Sequence, residues 1–301
     1  MGSSQHALPT RRAPAELWRR VARRGGAFQL APAAAFYAVF FLVPLGLLIA
    51  YSFYTVNQAE LQVEPAFTLD NYRDAGTAGL YRDLLVRTVL LGLVVATLVV
   101  AMAYLFAYIA AFTFPRYREL LLFLMILSIF GGYLVRIYAW RTILGERGLI
   151  NSLLESSGVI DRPLRSLIFS RFAVVVTLVN FLLPFGVLPL YGAMQNVPRD
   201  ALEAARDLGG GPVAVFRTIL LPLTATGLKI AFAFAFVLAS GDYLTPALVG
   251  GTSGLMIGNA IADQFGVAFN WPLGAALALA TLVVTLGVYA AIGLLLRLVS
   301  R

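Results

Sequence analysis

Six long apolar runs separated by shorter polar stretches organise the chain: Ala33–Tyr54, Thr88–Phe114, Leu120–Trp140, Phe172–Met194, Thr224–Val249 and Leu273–Leu296. A helix needs roughly 20 apolar residues to cross the hydrocarbon core of a bilayer. Backbone groups find no water there, so each run predicts a helix that satisfies its own hydrogen bonds. The alternation that marks a membrane barrel is absent from the sequence. The pattern predicts an all-α membrane protein, a bundle of six transmembrane helices. Pro115 ends the second run. Pro184 and Pro189 break the hydrogen-bond ladder of the fourth, as a bend that lets the span rock or as a static packing kink. Gly241-Asp242 and Pro246 interrupt the fifth.

Two stretches between runs carry local order. Phe67-Thr-Leu-Asp70-Asn71-Tyr72 sets a turn-like Asp-Asn pair beside aromatic residues. Leu149, Ile150, Leu153 and Leu154 share one helical face and Gly158 follows as a stop, which predicts a short helix lying on the membrane surface. Residues 1–32 form a basic arm, with Arg11, Arg12, Arg19, Arg20, Arg23 and Arg24. It reads as a segment resting on anionic cytoplasmic lipid. The paired Arg11-Arg12 also suggests a twin-arginine signal, but the apolar run that follows is too long and too distant for a cleaved leader. The rest, 33–301, reads as one membrane domain.

Composition agrees. Of 301 residues, 60% are hydrophobic and 13% charged, against about 25% charged in a soluble domain. Mean hydropathy is +0.83. The net charge of +8 is a matter of orientation. Six spans put both termini on one side, with the arm, Arg116, Arg118, Arg199, Arg206, Arg217, Lys229, Arg297 and Arg301; the other nine of the 23 basic residues fall on the opposite side or near its boundary. Basic residues favour the cytoplasm, which predicts cytoplasmic termini.

Several chemistries are closed to the sequence. There is no cysteine, so disulfides and thiolate metal sites are excluded. The single histidine, His6, denies a His-based triad or a multi-His metal centre. No Gly-Lys-Ser/Thr phosphate loop is present, so any ATP used here is hydrolysed on another chain. The reading is non-catalytic.

The stretch with the most specific pattern joins the fourth and fifth runs, at 195–223: Asn196-Val-Pro-Arg-Asp200-Ala-Leu-Glu203-Ala204-Ala205-Arg-Asp-Leu-Gly209-Gly-Gly211-Pro212, continuing to Phe216 and Ile219-Leu-Leu221-Pro222. It predicts two short helices. Pro198 suits a first turn and Asp200 complements the N-terminal dipole. Gly209–Gly211 ends the first helix in a left-handed turn. Pro212 starts the second and Pro222 stops it. Ala204 and Ala205 leave room for a close partner, and Leu202, Leu208 and Phe216 offer apolar contacts. This is a docking element in water.

Glu203-Ala204-Ala205, then Gly209, Ile219 and Leu221-Pro222, resembles in type, order and spacing the EAA motif of bacterial ABC importer permeases. The resemblance covers nearly the whole chain, from Phe36 to Leu296, and is nearest to permeases of the spermidine/putrescine type. It implies that 195–223 forms coupling helices that insert into a cleft of the ATPase, with Glu203, Ala204, Ala205, Gly209, Ile219, Leu221 and Pro222 in that loop. It also implies two ATPase subunits that bind ATP and Mg, a second and different permease, a periplasmic solute-binding protein, and a place in the bacterial inner membrane. The implied activity is import of a small organic solute, a polyamine first.

Four further residues are candidates for the pathway. Asp242 is an acid inside the fifth run, where charge is costly and normally faces a cavity or a partner. Tyr243 beside it could add a cation–π contact. The other reading pairs Asp242 with a helix terminus or a partner's arginine. Arg136, among Tyr133, Tyr138 and Trp140, reads equally as a gate and as an arginine snorkelling in an aromatic belt. Lys229 reads as an interfacial anchor just inside the fifth run. Some polyamine-type relatives carry an acid where this chain has Ala247. The rival reading, an ion-coupled secondary carrier without an ATPase, needs more intramembrane ionisable groups than Asp242.

Overall fold

The computed structural model describes residues 32–57 and 62–299, without the side chains of 295–299. The basic arm, apart from Pro32, lies outside the described residues. The chain divides into two units, Met1–Tyr51 and Ser52–Arg301. The first contributes α1, Pro32–Tyr51, apolar on every side and mostly exposed within its own unit, with a π turn at Ala38–Leu42. A helix apolar all round belongs in lipid or under another helix.

The second unit opens with a small antiparallel hairpin, β1 (Thr55–Asn57) and β2 (Gln62–Glu64), with Val56 opposite Val63. An all-α expectation is thus corrected by one two-stranded ribbon. Helix α2 (Asp70–Thr77) follows, so Asp70-Asn71 starts a helix instead of forming a bare turn. The Asp70 amide donates to Thr68 Oγ1 at 3.1 Å, and Asn71 Nδ2 donates to the carbonyls of Ser52 and Tyr54 at 2.9 and 2.8 Å.

The bundle consists of α3 (Gly79–Thr113), α4 (Pro115–Phe130), α5 (Tyr133–Leu144), α6 (Leu149–Ser156), α7 (Arg171–Gln195), α8 (Arg199–Asp207), α9 (Pro212–Ser240), α10 (Ile257–Gly266) and α11 (Trp271–Val299). Five described helices are long and apolar enough to cross a membrane, or six if one bent pair counts as a span. Three boundaries differ from the apolar pattern, and a fourth helix keeps its bounds. Helix α3 begins well before Thr88, because its polar first turns still pack: Tyr81, Leu84 and Leu85 lie against Ile257, Leu273 and Leu277. The third run is not one straight helix. The chain leaves helical geometry at Gly131 (ψ 112°) and Gly132 (ψ 136°), and the helices on either side are bent by 96°. Helix α7 runs unbroken through Pro184 and Pro189, as membrane helices can when neighbours support them. Helix α9 passes through Pro222 instead of stopping there. The turn before it, Phe216–Leu220, is wound as a π helix, and that wider winding relieves the clash a proline ring makes with the carbonyl four residues back.

The core is the seam of α3, α7 and α9. Val95, Val99, Leu178, Leu182, Ala235 and Phe236 are buried together there. Glycine permits the approach. A Cβ on Gly227 of α9 would meet Ala193 Cβ at 2.6 Å and the Pro189 carbonyl at 2.8 Å, and one on Gly186 of α7 would meet Val99 at 2.9 Å. Without a hydrophobic force between helices in lipid, such close packing is what holds them together.

Candidate functional site

Helix α8 and the start of α9 form a small cap at one end of the bundle. Asp200 lies in the first turn of α8 and Arg206 in the last, each opposing the dipole there. Leu202 faces inward and shares an apolar cluster with Val197, Val215 and Leu220, against Tyr104, Tyr108 and Phe112 of α3. The helix ends as the glycine run predicts. Gly209 takes φ 82°, its amide donates to the Arg206 carbonyl, and the Gly210 amide donates to the Ala205 carbonyl, both at 2.9 Å. This is the Schellman pattern, which requires a left-handed residue at that position.

The motif residues divide by face. Ala205, Ile219 and Leu221 are half-buried toward the bundle. Glu203, Ala204, Gly209 and Pro222 are exposed, and between them stand Leu208 and Val213, 89% and 68% exposed. The cap is tied down from within. Tyr104 Oη lies 3.0 Å from Thr224 Oγ1, which itself donates to the Leu220 carbonyl, and the Tyr104 ring meets Phe216 edge-on at 5.5 Å. Between cap and α3 is a cavity of about 700 Å³, lined by Tyr104, Tyr108, Phe112, Glu203, Arg206 and Phe216 among others.

The second cluster lies at the bend between α4 and α5. The Arg136 guanidinium donates to the Ser128 carbonyl, to Ser128 Oγ at 3.2 Å and to the Phe181 carbonyl at 3.5 Å, and sits over the Phe181 ring at 5.5 Å. It therefore joins α5 back to the end of α4 and across to α7. These contacts make Arg136 a brace of the bend. Tyr133, the first residue after the break, donates its hydroxyl to Asp242 Oδ2 at 2.5 Å and lies 2.7 Å from Thr245 Oγ1. The other oxygen of Asp242 accepts from the amides of Leu244 (2.9 Å) and Thr245 (3.4 Å). Asp242 thus caps the turn that follows α9 and anchors α5. Tyr243 is exposed and lines a separate cavity of about 620 Å³ with Ser240, Ile257, Phe265 and Thr281, and Tyr138 is exposed on α5. Asp242 and Arg136 are brought together through Tyr133 and Phe181; Tyr138 and Tyr243 are not part of that network.

Sequence reasoning passed over Tyr133 and Thr245. The available signal was Gly131-Gly132 in the middle of an apolar run, which marks a break where an adjacent side chain gains a special position. Helix α9 starts at Pro212 and not at Thr224, and Lys229 lines a groove with Thr97 and Ala101 of α3 and Gly293 and Leu294 of α11.

At the opposite end, arginines hold one turn. Arg87 donates to the carbonyls of Thr252 and Leu255, both at 3.3 Å, and Arg171 Nε to that of Ser253 at 3.0 Å. Asn151 of α6 is buried and binds the Leu164 amide and the Gly145 carbonyl.

An apolar helical bundle with a small helical cap at one end is the architecture of a multi-pass membrane protein. The solved structures agree on the fold: that of a bacterial alginate ABC transporter in complex with alginate pentasaccharide-bound periplasmic protein superimposes with a TM-score of 0.74 over 95% of this chain and 98% of that one, at 14% identity. In sequence, the spermidine/putrescine transport system permease protein PotB of Haemophilus influenzae is 33% identical over 80% of this chain and 83% of its own length. PotB of Escherichia coli K12 is 36% identical over 83% of this chain and 89% of its own. The chain belongs to this family of ABC importer permeases. No protein-family model matches it.

Proposed function

We propose that this chain is the membrane-spanning half of a binding-protein-dependent importer for a polyamine such as spermidine or putrescine, with six spans, both termini and α8 in the cytoplasm, and no catalytic role of its own. The solute follows the names of the relatives at 33–36% identity. The observation that carries the coupling role is the exposed apolar tip of α8. Leu208 is 89% exposed on a helix whose inner face is fixed to the bundle. A large apolar side chain held in water by a rigid mount is a partner contact in waiting. The partner is an ATPase subunit, one on this chain and one on a second, different permease. Closure of the ATPase dimer on ATP and Mg pushes α8 as a lever, and the bundle alternates between two states, each favoured by a different ligand. A periplasmic binding protein delivers the solute at the end held by Arg87 and Arg171. An ion-coupled carrier would need a carboxylate free to exchange its proton, and both oxygens of Asp242 are engaged.

The test is purification of the tagged protein from native membranes in mild detergent, with mass spectrometry of what accompanies it. An ATPase bearing a phosphate loop and a second six-span permease are expected, and the reconstituted assembly should take up radiolabelled spermidine or putrescine only with ATP and the binding protein. A lone chain that moves solute without ATP would refute the reading.

A further inference from the structure

The cavity of about 700 Å³ between the cap and α3 has a lining of two kinds. Ala101, Leu105 and Phe112 of α3 and Val215, Phe216 and Leu220 of α9 make it apolar. Arg199, Glu203 and Arg206 of α8 bring charge, and Tyr108 brings a hydroxyl that makes no hydrogen bond among the described residues. Neither arginine forms an ion pair among those residues; the pairs present are Arg118–Glu119 and Arg165–Glu146.

Helix α8 sorts its charges by edge. Residues seven apart stand about two turns apart on the same edge of a helix. Arg199 and Arg206 share the edge beside the buried Leu202 and line the cavity. Asp200 and Asp207 share the next edge and do not line it. Glu203 is the one carboxylate in the lining, against two arginines. The cavity therefore favours an anion, while the acidic edge and Leu208 face away from it.

The flank of α3 places this cavity against the membrane surface. Leu98, Met102 and Leu105 are 42%, 49% and 61% exposed there. The next basic residues along the chain, Arg116 and Arg118, come just after α3 ends at Thr113. Exposed apolar side chains giving way to arginines mark the passage from hydrocarbon to headgroups. The cavity joins both sides of that passage, since Leu105 and Arg199 line it together. A free inorganic anion would use the arginines and leave the apolar lining uncovered. A neutral lipid would cover the lining and leave two cations unpaired. An acidic headgroup on acyl chains answers both.

We infer that the cavity between α8 and α3 seats an anionic phospholipid, its phosphate held by Arg199, Arg206 and the Tyr108 hydroxyl and its chains against Leu105 and the apolar walls. Basic pockets at the membrane face of helical proteins bind acidic headgroups in this way. The lipid becomes part of the mount of α8, a role separate from its contact with any protein partner.

The test uses the full chain purified in mild detergent. It is titrated with dioleoyl phosphatidylglycerol and, separately, with dioleoyl phosphatidylcholine, and bound lipid is counted by native mass spectrometry. Phosphatidylglycerol should bind in preference. Two basic residues beside an acidic headgroup together multiply affinity about thirtyfold, so Arg199→Gln/Arg206→Gln should weaken phosphatidylglycerol by about that factor and leave phosphatidylcholine unchanged. Arg116→Gln/Arg118→Gln removes the same charge outside the lining and should change little. Equal loss in the two double variants would reduce the effect to diffuse charge and overturn the inference, as would equal binding of the two lipids. Competition by inorganic phosphate or deacylated glycerophosphoglycerol as strong as that of the lipid would make this a site for a free phosphate and overturn it too. So would release of the lipid when an ATPase subunit is added, which would assign the cavity to that protein. The titration needs no ATPase, so failure of the importer reading leaves its result intact.

Discussion

Gly209 separates a mechanical role for α8 from a merely structural one. Its φ of 82° lies where an L side chain is strained, yet no atom stands within 4 Å of where a Cβ would be. Gly209→Ala therefore adds no clash and costs only the backbone strain, about 1–2 kcal/mol. That is roughly a tenfold fall in occupancy of the Schellman turn at about 1.4 kcal/mol per decade. The buried face of α8 around Leu202 is untouched, so assembly should survive. Gly209→Asn is the control, because asparagine adopts the left-handed conformation at much lower cost. In proteoliposomes with ATPase and binding protein, solute moved per ATP hydrolysed should fall several-fold for Gly209→Ala and stay near wild type for Gly209→Asn. Equal coupling in all three, or equal damage from Ala and Asn, would refute the lever argument.

Other outcomes follow from the same geometry. Tyr133→Phe leaves the partly buried Asp242 Oδ2 without its donor and should cost about 1 kcal/mol; thermal unfolding in detergent reads it, and an unchanged midpoint would remove the bend-anchor role. Arg136→Met should loosen the bend between α4 and α5, seen as a wider distance distribution between spin labels on the two helices. Gly227→Val places side-chain atoms against Ala193 and Pro189 of α7 and should cost about 1–3 kcal/mol or more from overpacking, measured as folded yield in detergent. Leu208→Glu should leave yield and melting unchanged while ATPase recovery falls; equal recovery would place the ATPase contact elsewhere.

The apolar runs, the helix end at Gly209 and the spacing of Glu203, Gly209 and Leu221-Pro222 were legible in the sequence, because span length, capping and turn chemistry depend on residues within a few positions of each other. The sequence also set which options were closed: no cysteine, one histidine, no phosphate loop. Its errors share one cause. Pro222 looked like a stop, and the polar turns at Gly79–Arg87 looked like loop, because local rules take no account of neighbours that support a strained or polar helix. Only the tertiary structure decided that the third run bends by 96° at Gly131-Gly132, that Tyr133 spans to Asp242 across 109 residues of chain, and that Lys229 shares a groove with Thr97 of α3 and Gly293 of α11. Those facts are distances between residues remote in sequence, and they follow from how α3, α7 and α9 pack, which no window along the chain contains.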